Sequence, residues 1–169
     1  MLHKLMRERW RAKAIDRLGV LDTPTEPGLD RLVEQAADAF AAPIALLTLL
    51  YRDDLRVQAS TGLSLQCLPR RESFCTYAVD GPNVLEVCDA TLDPRFSKLA
   101  PVSGEPHIRY YIGSPLRLQG GADVGVLCII DTSPRRPASP DQRAYLIGLA
   151  RQAAASLERH AQVLRGITA

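Results

Sequence analysis

At 169 residues, with 46% apolar and 24% charged residues, the chain can build one domain with its own core. A formal net charge of +2 sets up no strong field, so neither nucleic acid nor a membrane surface is an expected partner. No apolar run approaches the roughly 18 residues of a membrane span, and the charged N-terminus does not suit a signal peptide, so a cytoplasmic location is expected.

Residues 4–18 predict a helix, with Leu5, Ile15 and Leu18 among charges. Pro24 and Pro27 interrupt it, because proline removes a donor and biases its predecessor toward extended geometry. A second helix is predicted over 28–41. There Leu29, Leu32, Val33, Ala36, Ala37 and Phe40 form one apolar stripe. Residues 44–50 are a continuous apolar run, as in a central strand buried on both faces. Asp53-Asp54 marks a turn, and residues 55–60 alternate like a half-exposed hairpin partner.

Residues 63–72 read as loop, 73–80 as a short helix and 84–88 as a strand. The segment 89–108 has little regular pattern and several breakers, and loops of that length usually have a function. Strands are predicted at 110–118 and 124–131, joined by the hairpin signal Gln119-Gly120-Gly121-Ala122. Ser139-Pro140-Asp141-Gln142 has the form of a capping box opening a helix that runs to about 164. Strands with hairpin links between terminal helices imply an α+β sandwich.

Several segments then carry a family likeness. Asp22-Thr23-Pro24 is similar to an "ILDTP" segment, and Ser73-Phe74-Cys75 matches "SFC". Pro106 to Leu116 and Gly125 to Asp131 resemble "PHIRFYAGAPL" and "GTLCVID". In this order and spacing the chain resembles a GAF domain, a small-molecule sensory module of bacterial signalling proteins, over about residues 12–160. The resemblance implies a PAS-like central antiparallel sheet of five or six strands. Terminal helices would lie on one face, with a ligand pocket and the long loop on the other. Residues 1–20 would be the N-terminal helix, 21–138 the core, and 139–169 the C-terminal helix of the same domain.

The resemblance places His107, Arg109, Tyr110 and Tyr111 where the family's pocket-facing strand begins. Arg offers a fork of donors for a carboxylate or phosphate, and Tyr adds apolar area with a polar tip. With Phe74, Tyr77 and Phe96 they could close a small apolar pocket. The expected ligand-binding set is Phe74, Cys75, Tyr77, Cys88, Asp89, Phe96, His107, Arg109, Tyr111 and Ser114, with the ligand unidentified and no cofactor assigned. The competing reading has Arg109 paired with Asp89 or Asp93, pinning the loop.

The chain lacks the Asn-Lys…Phe…Asp-Glu signature of cyclic-nucleotide-binding GAF domains. Cys75 is followed by Thr76, where bilin-binding relatives have His. His107 has no neighbour at metal-ligand spacing, so no metal is expected. The four cysteines, Cys67, Cys75, Cys88 and Cys128, form no Cys-x-x-Cys pair and are expected to be free thiols.

Cys75 and Cys88 support an enzymatic alternative, because one GAF branch reduces free methionine sulfoxide with loop cysteines. In the last helix, Leu146, Ala150, Ala153, Leu157, His160 and Leu164 repeat with heptad-like spacing, which predicts a homodimer through the terminal helices. The leading expectation is a non-catalytic sensor that signals through those helices, with a signalling effector as a further partner. A ligand-free dimerisation scaffold is the third reading. The chain contains no kinase, cyclase or DNA-binding module, as fits a free-standing module or a piece of a longer sensor.

Overall fold

The computed structural model describes residues 1–168. In chain order the elements are α1 (Leu2–Leu18), α2 (Pro27–Ala39), β1 (Ile44–Tyr51), β2 (Asp54–Thr61), β3 (Cys67–Pro69), α3 (Cys75–Ala78), β4 (Leu85–Val87), α4 (Ala100–Ser103), β5 (Tyr110–Arg117), β6 (Asp123–Asp131) and α5 (Pro140–Thr168). Two 3-10 turns, Arg70–Glu72 and Ala90–Leu92, precede α3 and α4. The strands form one antiparallel sheet in the order β3-β2-β1-β6-β5-β4. No helix among the described residues is long and apolar enough to cross a membrane.

The sheet separates two cores. On one face α1, α2 and α5 cover Ala45, Leu47 and Leu49 of β1 and Leu127 and Ile129 of β6. On the other, α3, α4 and their connections cover Leu46 and Leu50 of β1 and Val126, Cys128 and Ile130 of β6. This explains why 44–50 and 124–131 read as continuous apolar runs: both faces of the central strands are buried. The predicted stripe of α2 is buried throughout, from Leu29 to Phe40.

Helix α5 opens as expected. Ser139 Oγ accepts from the Gln142 amide at 3.1 Å, and Gln142 Oε1 accepts from the Ser139 amide at 3.0 Å. Replacing Ser139 with Ala should cost about 1 kcal/mol. In a thermal melt that is a fall in midpoint of roughly 2–4 °C.

Three expectations are corrected. Residues 63–72 are not all loop, since Cys67–Pro69 adds an edge strand to β2. The 89–108 segment contains a 3-10 turn and α4, with Pro101 in the first turn of that helix. The row expected to face a partner is turned inward over its first four members instead, with His160 and Leu164 half-buried. Leu146, Ala150, Ala153 and Leu157 are each at most 1% exposed, packed in the helix-side core. A 4-3 spacing serves a helix lying on a sheet as well as a coiled coil, and the small Ala150 and Ala153 let α5 approach closely.

Candidate functional site

A cavity of about 260 Å³ lies between the sheet and its loop-side cover. Leu46, Leu55, Tyr111, Cys128 and Ile130 from four strands form its floor. Leu63, Leu65 and Leu68, from the segment that leads into and through β3, close one side. The Glu72–Cys75 stretch closes another, and Pro101, Pro106 and Ile108 close the α4 side. The lining is mainly apolar, with leucine the commonest residue and few polar groups, which suits a small apolar ligand. Glu72 and Glu105 are the carboxylates on its wall.

Aromatic stacking holds the wall. Phe74 lies 4.9 Å from the Tyr111 ring and 4.5 Å from the Phe96 ring, both stacked. The strand leaves space for Tyr111 at Gly113. A Cβ there would come within 2.4 Å of the Tyr111 hydroxyl.

Of the ten residues expected at the site, the structure brings Phe74, Cys75 and Tyr111 to the cavity surface. Phe96 is fully buried behind them. Tyr77 packs edge-on to Phe96 at 5.0 Å but is half exposed outside the cavity. His107 has φ 61° and turns outward, with Nε2 3.5 Å from Glu105. Arg109 donates to the carbonyls of Val102 and Ile108, both at 3.0 Å, so it ties α4 to the start of β5.

The proposed partners of Arg109 are engaged elsewhere. Asp89 accepts from the Thr91 amide and hydroxyl, and Asp93 pairs with Arg95. Ser114 lies on the helix side of β5, between Ile112 and Leu116 of that core. Cys88 follows Val87, which faces the cavity-side core, so the alternation of the strand directs Cys88 away from it. Burial, and then the Glu86 carboxylate on that other side, push the Cys88 thiol up. Cys75 and Cys88 are therefore on opposite faces of the sheet, and the two-thiol site expected from them does not assemble.

The thiol that lines the same cavity as Cys75 is Cys128, absent from the expected set. Both line the cavity floor, and each is free. The Tyr111 hydroxyl donates to Cys75 Sγ at 3.3 Å, and the Thr48 hydroxyl, which donates to the Val126 carbonyl at 3.2 Å, lies 3.6 Å from the same sulfur. The Cys128 thiol and these hydroxyls lower the Cys75 thiol against the opposing effect of burial. Cys75, and then burial, raise Cys128 in turn. Cys128 was hidden in a strand apolar on both faces, where only the register shows which side each residue takes.

A family model described as "GAF domain" matches residues 25–157. The chain belongs to the GAF domain family. It is 42% identical over 144 residues to a cyclic di-GMP phosphodiesterase of Pseudomonas aeruginosa, a match covering 85% of this chain and 24% of that protein. The chain thus spans about a quarter of the length of that relative. Its fold is similar to the GAF domain of a phosphoenolpyruvate-protein phosphotransferase from Coxiella burnetii, with TM-score 0.67, 20% identity and 96% of each chain covered. It is also similar to a free methionine-R-sulfoxide reductase from Neisseria meningitidis, with TM-score 0.64 and 19% identity, covering 93% of this chain and 87% of that one. The α+β GAF fold implied by the resemblance, with five or six strands, is the fold observed, with six.

In this GAF domain the cavity wall is tied to the N-terminal helix at two points. Arg70, in the turn just before Glu72, pairs with Glu8 of α1 at 2.6 and 2.9 Å. Arg11 of α1, only 2% exposed, pairs with Asp80 just after α3. Its Nε also donates to the Asp123 carbonyl at 2.7 Å, and its Nη1 to Glu8 at 2.7 Å. Burial opposes ionisation of Glu8, but hydrogen bonds from Arg70 and Arg11 outweigh it and hold the carboxyl below its ordinary value. The 70–80 segment that walls the cavity is therefore clamped to α1 at both of its ends.

Proposed function

We propose that this GAF domain is a non-catalytic sensor of a small apolar molecule in bacterial signalling. The single observation that carries the reading is the shared wall: residues 72–75 border the cavity, and the same segment holds α1 through Arg70–Glu8 and Asp80–Arg11. A ligand that favours one position of this wall shifts the population of α1 positions by its differential affinity for them. The likeness to a cyclic di-GMP phosphodiesterase supports an effector of that class, acting in the same signalling chemistry. Dimerisation through the terminal helices stays part of the proposal, on a different surface. Leu2, Leu5, Met6 and Trp10 of α1 and Tyr145 and Val163 of α5 are large apolar side chains exposed there.

Native mass spectrometry of protein freshly purified from bacteria tests the reading. The wild type should carry excess mass that denaturation removes. Leu46→Trp, which fills the cavity floor, should run at the sequence mass. Equal masses for both proteins, native and denatured, would count against a retained ligand.

A further inference from the structure

We infer that Cys75 and Cys128 form a redox-active dithiol on the cavity floor, oxidised to a disulfide by a small, neutral hydroperoxide that enters the cavity. The inference rests on the cavity being open to small apolar molecules, but not on any particular signalling ligand.

The geometry supplies each requirement. The two thiols come from different elements, the start of α3 and the middle of β6, and line one cavity. Cys75 is 3% exposed and Cys128 fully buried, so an oxidant reaches them through the cavity rather than from bulk water. The Tyr111 hydroxyl donates to Cys75 Sγ at 3.3 Å and stabilises negative charge on that sulfur. Cys75 is thus the attacking thiol and Cys128 the resolving one. The other two cysteines cannot take the resolving role in the folded domain. Cys67 is exposed on the edge strand, and Cys88 is on the far side of the sheet.

The lining selects the oxidant. The walls are mainly apolar, and the Glu72 carboxylate beside them disfavours anions. A neutral alkyl hydroperoxide fits both conditions. The Cys75 sulfur attacks the terminal peroxide oxygen, an S–O bond forms and the O–O bond breaks. The alkoxide leaves with the thiol proton as an alcohol, and Cys75 becomes a sulfenic acid. The Cys128 sulfur then attacks the Cys75 sulfur, an S–S bond forms, and the hydroxyl leaves as water with the Cys128 proton. The sulfur pair loses two electrons and the peroxide gains them. The bond would draw α3 toward β6 and change the wall that the arginine pairs connect to α1.

The test uses the full, reduced chain exposed to tert-butyl hydroperoxide, then unfolded and alkylated with N-ethylmaleimide. Two of the four thiols should be lost to alkylation, and peptide mapping should join the Cys75 peptide to the Cys128 peptide. Cys75→Ser should keep all its remaining thiols. Cys128→Ser should accumulate a sulfenic acid at Cys75 that dimedone traps. The wild-type map stands by itself if a variant fails to fold. Indole binding, followed by amide shifts at Leu46 and Ile130, is measured on the same wild-type sample. Untouched thiols, or a bridge through Cys67 or Cys88, in protein that binds indole would overturn the dithiol alone. Untouched thiols in folded protein that does not bind indole would overturn the open cavity as well.

Discussion

Gly125→Ala is expected to remove the folded state under ordinary conditions. Gly125 lies where β6 carries an extra residue against β5, so that Leu116 pairs with Gly125 and Arg117 with Asp123. This bulge presses the strand onto its other neighbour. A Cβ at position 125 would lie 1.7 Å from the Thr48 carbonyl oxygen and 3.0 Å from the Leu49 Cα. The obstacle is backbone of the central strand, not the movable end of a side chain. Relief requires β1 and β6 to separate where they share a ladder and where both cores meet. Overpacking a core commonly costs about 1–3 kcal/mol, and a rigid backbone clash should exceed that range. Chemical denaturation should show a lost or greatly lowered unfolding midpoint. A change below about 1 kcal/mol would mean that the strands have slack the structure does not show.

Arg11→Ala should give the second large effect, about 3 kcal/mol of destabilisation, the low end for breaking a buried ion pair. The low end applies because Asp80 is 30% exposed and Glu8 keeps Arg70 as a partner. The substitution also leaves the Asp123 carbonyl without the Arg11 donor. The melting midpoint should fall by roughly 6–12 °C for a domain of this size. Acid should act on the same cluster. Glu8 ionises at lower pH in the folded state than in the unfolded one, so its contribution is present above the ordinary glutamate value of about 4.3. It is lost as the pH falls from there through the folded value. Glu8→Gln should flatten that part of the stability–pH curve, and an unchanged curve would show that the Arg70 and Arg11 contacts do not hold the carboxylate.

How far the sequence could be read depended on whether a pattern has one structural meaning. The α2 stripe has one, because six apolar residues at helical spacing leave a single face to bury. The Ser139–Gln142 cap is similar, since the residues that make it are adjacent in the chain. The run in β1 fixes a strand but not its faces. Leu46 and Thr48 look toward the cavity side while Leu47 and Leu49 look toward the helices, and only register separates them. The same ambiguity concealed Cys128. His107 and Arg109 drew notice by their chemistry, yet a positive φ turns one outward and two carbonyls occupy the other. Arg11 did carry a signal, because it precedes Ile15 by four residues and Leu18 by seven and so shares their buried face. In a helix with so many charges that position resembled solvent-facing surface. The reason for glycine at 125 lies in a neighbouring strand more than seventy residues away in sequence, beyond the reach of any local pattern.

Signalling from this domain requires α1 to respond to what fills the cavity. Hydrogen–deuterium exchange of the full chain with and without saturating indole measures this directly. Slower exchange is expected at the cavity walls, residues 72–79 and 100–108, together with a change in α1 that Glu8→Gln weakens. Exchange in α1 that is unchanged while the walls are protected would contradict such a response.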